Sequence, residues 1–135
     1  MSHAYCEGMN ASSCSCSCVV WTVYQWKVGE LQSLNLSWNG LESLGSTAVF
    51  KALADNRGLT SLNVSSTRTS NSSCVHLAAA LRQNTTLEQL VVNNNGLDFD
   101  AEQLLVQALT VNRTLNHLDL KVRCYVVSGT LARRP

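Results

Sequence analysis

The amino-terminal part of the sequence carries the densest group of residues that could bind a metal. Cys14, Cys16 and Cys18 alternate with serine, and Cys6 lies upstream. Thiolates are ligands for soft metals. Structural zinc sites, however, usually separate paired cysteines by about two to four residues and use a second ligand pair. Because the sequence shows neither feature, we interpret residues 1–18 as a flexible Ser/Cys-rich tail and expect no metal site.

A second candidate for chemistry is the pair His117 and Asp119, which are two residues apart. On a strand their side chains would share one face, where a histidine beside a carboxylate could act as a general base. The sequence places no nucleophile beside them and contains no phosphate loop, zinc-protease motif or nucleophile elbow. Cys74 lies near a predicted helix start, which could lower a thiol pKa, but a buried structural thiol is the favoured interpretation. We therefore expect a protein that is not an enzyme and needs no cofactor.

The elements that would position these residues recur at a fixed interval of 28 residues. The interval relates the leucines Leu31, Leu59, Leu87 and Leu115. It also relates Leu34, Leu62, Leu90 and Leu118, then Leu36, Val64, Val92 and Leu120, and finally Asn56, Asn84 and Asn112. A period of about 20–50 residues is typical of stacked strand and helix units, which bury a core only against their neighbours.

Each unit predicts a short strand followed by a helix. Apolar residues alternate with period two at the start of each unit, which is typical of a strand. The expected parallel strands start near Leu34, Leu62, Leu90 and Leu118. The second half of each unit has apolar residues four apart, which predicts helices over about 46–55, 73–83 and 101–111.

The ends of the predicted helices carry capping residues. Small polar side chains at a helix start accept backbone N–H groups, and the expected N-caps are Ser46, Ser73 and Asp100. Asparagine tolerates the left-handed conformation that ends many helices. The expected helix ends are Asn56, Asn84 and Asn112.

These elements divide the chain into four parts. Residues 19–30 are rich in β-branched and aromatic types and could form an amino-terminal capping strand. The repeats span 31–123, with full units at 31–58, 59–86 and 87–114 and a partial unit at 115–123. The part 124–135 has no repeat pattern and is interpreted as an irregular carboxyl-terminal tail.

The motif Leu-x-x-Leu-x-Leu-x-x-Asn, followed by a helix that ends in Leu-x-x-Asn, resembles the leucine-rich repeat of the ribonuclease-inhibitor type. That resemblance implies an α/β solenoid with short parallel strands on the concave side and helices on the convex side. It would contain three full 28-residue repeats and one partial repeat. Thr67 and Arg123 depart from the motif, in which this position is an asparagine. Because the fourth unit is incomplete, we interpret the chain as a fragment or short isoform of a larger repeat protein.

The resemblance implies a protein–protein interaction module that presents a concave surface. The strand positions between the buried ones would form this surface. The candidate partner-binding residues are Gln32, Asn35, Trp38, Ser61, Asn63, Glu88, Gln89, Val91, Asn93, His117 and Asp119. Trp38 is the one large aromatic anchor among them, although a Trp38 side chain that folds over the turn and packs beside Gly40 is the favoured interpretation.

Two other functions are implied by proteins of this repeat type. One is a Ran-type GTPase-activating protein, in which the repeats dock a small GTPase. The other is part of a NOD-like innate-immune receptor. The net charge of +1 gives no steering toward nucleic acid. No apolar run approaches the roughly 20 residues needed to span a bilayer. Residues 1–10 do not show the pattern of a secretory signal, so we expect none. We therefore expect a cytoplasmic protein with a protein partner and without nucleic-acid or membrane binding.

Overall fold

The computed structural model of the protein describes residues 2–5 and 31–120. Within these residues the chain forms a mixed α/β fold with one small parallel sheet and three helices. In chain order the elements are β1 Ser2–Tyr5, β2 Leu31–Asn35, α1 Glu42–Asp55, β3 Ser61–Asn63, α2 Asn71–Gln83, β4 Gln89–Val91, α3 Phe99–Leu109 and β5 His117–Asp119.

The sheet has the strand order β1-β2-β3-β4-β5, and every neighbouring pair is parallel. Leu34 pairs with Leu62, Leu62 with Leu90, and Leu90 with Leu118. The parallel strands predicted from the 28-residue interval are therefore confirmed. The register is fixed because a shift by one residue would turn each leucine from the core to the other face of the sheet.

The core lies between the sheet and the layer of helices. Leu62 and Leu90 of the central strands are fully buried, as are Leu53 of α1 and Leu81 of α2. Helix α1 packs against α2, and α2 packs against α3. Ala80 is also fully buried, and its small side chain lets α2 approach its neighbours closely.

The helices begin earlier than predicted, and their N-caps are different residues. Ser70 caps α2 by accepting from the Ser73 backbone N–H, and Asp98 caps α3 by accepting from Ala101 at 3.0 Å. Helix α1 follows Leu41, whose side chain provides no capping hydrogen bond.

The N-cap predictions of Ser46, Ser73 and Asp100 are therefore wrong. Ser46 and Ser73 are buried, and their hydroxyls join neighbouring units instead. The Ser46 hydroxyl lies 2.8 Å from that of Thr69, and the Ser73 hydroxyl donates to the Ser43 carbonyl at 3.0 Å.

The repeated asparagines end the helices in a different way from the one predicted. Asn56 and Asn84 have extended backbones, with φ of −71° and −72°, so the left-handed expectation is wrong for them. Asn112 lies beyond the end of α3, for which Thr110 is the C-cap. The asparagine side chains act instead as cross-links. Asn84 donates to the carbonyls of Leu53 and Asn56 in the preceding unit.

Part of the predicted organisation lies outside the described residues. The capping strand at 19–30, the tail at 124–135, Arg123 and the alternating cysteines are in this group. Strand β1 falls inside residues 1–18, where we expected a flexible tail, and it pairs with β2. Strand pairing can hold such a segment because backbone hydrogen bonds do not depend on an apolar side-chain pattern. Among the residues that the structure describes, no helix has the length and apolar character required to cross a membrane.

Candidate functional site

Most of the predicted partner-binding residues lie on the face of the sheet opposite the buried leucines, whereas Trp38 lies in the turn after β2. Ser61 pairs with Gln89 and Gln89 with His117, so these three side chains form a row across the strands. A parallel row contains Asn35, Asn63, Val91 and Asp119. Gln32, Glu88, Gln89 and His117 are exposed, and the other strand residues of the set are half-buried. Their role in partner binding stays a prediction.

Two of these residues already use their acceptor atoms inside the protein. The Asn35 Oδ1 accepts from the backbone N–H of Ser37 at 3.0 Å and from its hydroxyl at 2.7 Å. Asn63 makes the same pair of bonds with Ser65. These asparagines therefore end the strands, since their side chains replace backbone partners at the turn.

The structure does not arrange His117 and Asp119 as a catalytic pair in which the histidine acts as a general base. The Asp119 carboxylate accepts from the Asn93 amide at 2.8 Å. His117 is exposed at the last described strand. The hydrogen bond between Asn93 and Asp119 joins two neighbouring units. It resembles the other hydrogen bonds between units more than a catalytic pair.

A groove lies where strands β2, β3 and β4 end and their turns begin. It is open to solvent on one side and has a volume of about 470 Å³. Its lining residues, which we call the turn groove, are Trp38, Asn39, Gly40, Ser66, Arg68, Asn94, Asn95 and Gly96. All eight residues lie in the turns beyond the carboxyl ends of these three strands.

The backbone around the turn groove is left-handed at several residues that are not glycine. Trp38, Ser66 and Asn94, which are 28 residues apart, have φ of 62°, 54° and 56°. Arg68 has φ of 60°, and Gly96, 28 residues later, has φ of 69°. Glycine, and to a lesser degree asparagine, adopts this conformation readily, whereas a bulky side chain is strained.

Hydrogen bonds between units impose this turn conformation. Asn95 donates to the carbonyls of Val64 and Val92, both at 2.8 Å, and its Oδ1 accepts from the Thr67 N–H at 2.9 Å. The Thr67 hydroxyl donates to Val64 at 2.8 Å, so threonine supplies part of the bonding of the motif asparagine. The floor of the groove is therefore held rigidly across two units.

Trp38 is the most exposed aromatic side chain of the groove. The residue is 79% exposed, so the interpretation that its ring packs beside Gly40 is wrong. The left-handed backbone directs the side chain away from the core and toward solvent. Arg68 is the second large side chain, and the sequence reasoning missed it. Its only signal in the sequence is the 28-residue spacing to Gly96.

Arg68 makes one weak ion pair. Its Nη1 lies 3.6 Å from the Glu42 carboxylate, and both side chains are about 70% exposed. Pairs of this kind contribute at most about 1 kcal/mol because water screens them and both chains lose freedom. The guanidinium therefore keeps most of its capacity to bind a carboxylate from another molecule.

Replacing Trp38 with asparagine is expected to leave the free energy of unfolding unchanged or to raise it by up to about 1 kcal/mol. The reason is that asparagine, found at the equivalent Asn94, tolerates φ near 60° better than tryptophan. Urea titration followed by circular dichroism measures the change. Trp38→Val is the control and should lower stability, because a β-branched residue is strained there. A clear loss with Trp38→Asn would show that the indole stabilises the fold.

Cys74 lies on α2 and is fully buried. Burial, and secondarily the negative charge of Asp98, raises the pKa of its thiol from 9.0 to about 12. The favoured interpretation as a structural thiol agrees with this, since the nucleophile is the thiolate. Among residues 31–120 and 2–5, no cluster of ligating side chains could hold a metal.

Iodoacetamide is expected to leave Cys74 unmodified in the folded protein at pH 8, and to modify it after unfolding in urea. Peptide mass spectrometry measures this. The folded pKa lies above the unfolded one, so stability should fall as pH rises from about 9 toward 12. Cys74→Ala should remove that part of the fall. Rapid native labelling of Cys74 would contradict the burial assigned to it.

Comparison with known proteins places the fold among solved structures. One neighbour is the "Leiomodin-1 Actin-Binding Site 2 (ABS2)", with a TM-score of 0.71 and 19% sequence identity, covering 79% of this chain and 64% of that chain. Another is the tropomodulin C-terminal domain of Caenorhabditis elegans, with a TM-score of 0.70 and 15% identity, covering 84% of this chain and 70% of that one. The chain has the fold of these domains. It spans less than two thirds of the leiomodin chain.

These neighbours overturn the family expected from the repeat motif. The identification as a ribonuclease-inhibitor-like leucine-rich repeat protein is wrong, because the similar structures are tropomodulin and leiomodin domains. The functions inferred from it are wrong as well: an interaction module with a concave leucine-rich repeat surface, a Ran-type GTPase-activating protein with a small GTPase partner, and part of a NOD-like receptor. The motif residues pack the core and link the units, so they specify packing rather than a partner. No family model and no curated protein matches the chain.

Proposed function

We propose that this protein binds actin. The observation that carries the proposal is the fold shared with the second actin-binding site of leiomodin-1, at a TM-score of 0.71 over 79% of this chain. A shared fold by itself supports many functions. The proposal therefore also depends on a surface suited to a protein partner, and the turn groove offers one.

The turn groove has the composition of a protein-binding surface. It combines an exposed aromatic ring at Trp38, a guanidinium at Arg68 and amide groups at Asn94. Tryptophan and arginine are enriched among the residues that contribute most to protein interfaces. The groove residues that surround them are held by hydrogen bonds between units, so binding would cost little ordering of the backbone.

We further propose that the strand and helix units coil into a right-handed solenoid, with the strands on its concave side. The consecutive order of the parallel strands supports this, because nearly all parallel crossovers are right-handed. In this arrangement the turn groove lies along one rim of the coil. Apart from Trp38, the concave-face residues predicted from the sequence would then form a neighbouring surface, and not the groove itself. We also propose that the protein acts in the cytoplasm, where actin is found, and that it is not an enzyme.

The proposal is tested by titrating the fluorescently labelled full chain with monomeric actin and measuring anisotropy. Co-sedimentation with filaments at the same concentrations gives the second reading. Saturable binding to either form of actin is the expected result. Serum albumin at equal concentration serves as the control for non-specific association. Absence of saturable binding to both forms, by a chain whose circular dichroism shows that it is folded, would refute the proposal.

A further inference from the structure

We propose that the turn groove is the contact site for a partner segment that presents a carboxylate beside an apolar side chain. The choice of actin as the partner to be tested rests on the function proposed above. The chemistry of the segment rests on the groove itself. Its volume of about 470 Å³ lies within the range of small-molecule sites, so the groove has room for partner side chains.

Trp38 is placed in the groove at a cost to folding. Its φ of 62° strains a bulky residue, and its side chain, 79% exposed, gains little burial in return. The equivalent positions in the next two units hold Ser66 and Asn94, which are small or suited to this backbone. Folding therefore does not account for a tryptophan at this position. An apolar partner group covering the ring would account for it, because burying an aromatic surface is among the strongest contributions to binding.

Arg68 repeats this pattern one unit further along. Its φ is 60°, and the equivalent position in the next unit is Gly96, which adopts φ of 69° without strain. Its exposed ion pair with Glu42 is too weak to explain the choice of arginine. Two neighbouring units therefore each carry a large, exposed, strained side chain that opens into the same groove. Departures from local preference of this kind are expected at functional sites.

The two side chains define the chemistry of the occupant. Of the groove residues that the structure describes, Arg68 alone is charged, and a guanidinium binds a carboxylate through two parallel hydrogen bonds. The indole offers an apolar face and one N–H donor. Asn94 donates to the Ser66 hydroxyl at 2.8 Å, and both polar groups line the same groove as the two anchors. An acidic segment with one apolar side chain satisfies both anchors at once.

The first measurement uses actin and four variants of the full chain. Trp38→Asn and Arg68→Gly place at each position the residue found in an equivalent turn, so both variants should fold. Each is expected to weaken actin binding by at least about tenfold, a loss typical of a major interface residue. Arg68→Lys keeps the positive charge but cannot form two parallel hydrogen bonds to a carboxylate. It should therefore give an intermediate loss of actin affinity. Thr85→Ala changes an exposed residue outside the turn groove and outside the candidate partner-binding residues, so it is the matched control and should bind like the wild type.

The second measurement tests the groove without actin. Nuclear magnetic resonance follows the labelled chain during titration with the acetylated tetrapeptide amide Glu-Leu-Asp-Phe and with its Gln-Leu-Asn-Phe counterpart. The acidic peptide is expected to shift the Trp38 indole signal and the amides of the three turns, and the neutral peptide to shift them far less.

The outcomes separate the two proposals. If the wild-type chain binds actin, the variants test whether the turn groove is the binding site. Equal actin affinity of Trp38→Asn, Arg68→Gly and the wild type would overturn the groove as the contact site. If the wild type does not bind actin, the proposed function fails and the peptide decides. Equal shifts with both peptides, shifts elsewhere, or no shifts would then overturn the groove as a site for acidic segments.

Discussion

Replacing Leu90 with alanine is expected to lower the free energy of unfolding by about 2–5 kcal/mol. Leu90 is fully buried on β4 and pairs with Leu62 on one side and with Leu118 on the other. Truncation removes apolar contacts within its own unit and with both neighbours, and the rigid strand register prevents the cavity from closing. Urea titration followed by circular dichroism measures the change.

Gln89→Ala is the matched control for that variant. Gln89 is adjacent in sequence but exposed on the other face of β4, so its loss should be below about 0.5 kcal/mol. The comparison tests which face of the sheet is buried, because period-two alternation assigns the two residues to opposite faces. Similar losses for the two variants would mean that this assignment of faces is wrong.

Replacing Asn84 with alanine is expected to lower the free energy of unfolding by about 2–4 kcal/mol, although the side chain is polar. The amide of Asn84 donates to the carbonyls of Leu53 at 2.9 Å and Asn56 at 3.0 Å. Its Oδ1 accepts from the backbone N–H groups of Thr86 at 2.9 Å and Leu87 at 2.7 Å. Asn84 is buried, and the variant removes the acceptor of the Thr86 and Leu87 N–H groups together with one donor to each of the two carbonyls.

Two further variants give that prediction its controls. Thr85→Ala changes the exposed neighbour and should have little effect. Asn84→Asp keeps the acceptor but replaces the donor with a charge that faces two carbonyl groups, so it should destabilise as much as alanine or more. Thermal melts followed by circular dichroism rank the three variants. If Asn84→Ala and Thr85→Ala had the same melting temperature, the asparagine bonds between units would not contribute to stability as the structure indicates.

The strand positions could be predicted from the sequence because every unit of a repeat has the same packing requirement at the same position. Leu34, Leu62, Leu90 and Leu118 occupy equivalent core positions, and only parallel strands in register place all four there. The helix starts were harder to predict. Serine is a common N-cap, but Ser46 and Ser73 bond to neighbouring units that a single-unit reading does not include.

The family could not be predicted from the same residues. Leucine and asparagine at these intervals satisfy the core and the links between units, and any protein built from such units needs them. The residues that distinguish binding partners lie on the surface, where the repeat imposes no pattern. The interval therefore defined the packing of this chain and gave the wrong relatives.

The turn groove lay beyond sequence reasoning for a conformational reason. Tryptophan and arginine are unusual at φ near 60°, so no turn rule assigns Trp38 or Arg68 to a left-handed backbone. The hydrogen bonds of Asn95 to two units impose that conformation, and they exist only after the units stack. The alignment of positions 38, 66 and 94 was visible in the sequence, but their common groove was not.

Hydrogen–deuterium exchange of the full chain, with and without saturating actin, tests most directly whether a partner binds at the turn groove. The expected result is slower exchange in peptides that cover turns 38–40, 66–68 and 94–96, because a bound segment shields their backbone amides. Exchange on the exposed side of the helices should not change. Protection confined to the helices or to the sheet face, with the three turns unchanged at saturation, would contradict the account.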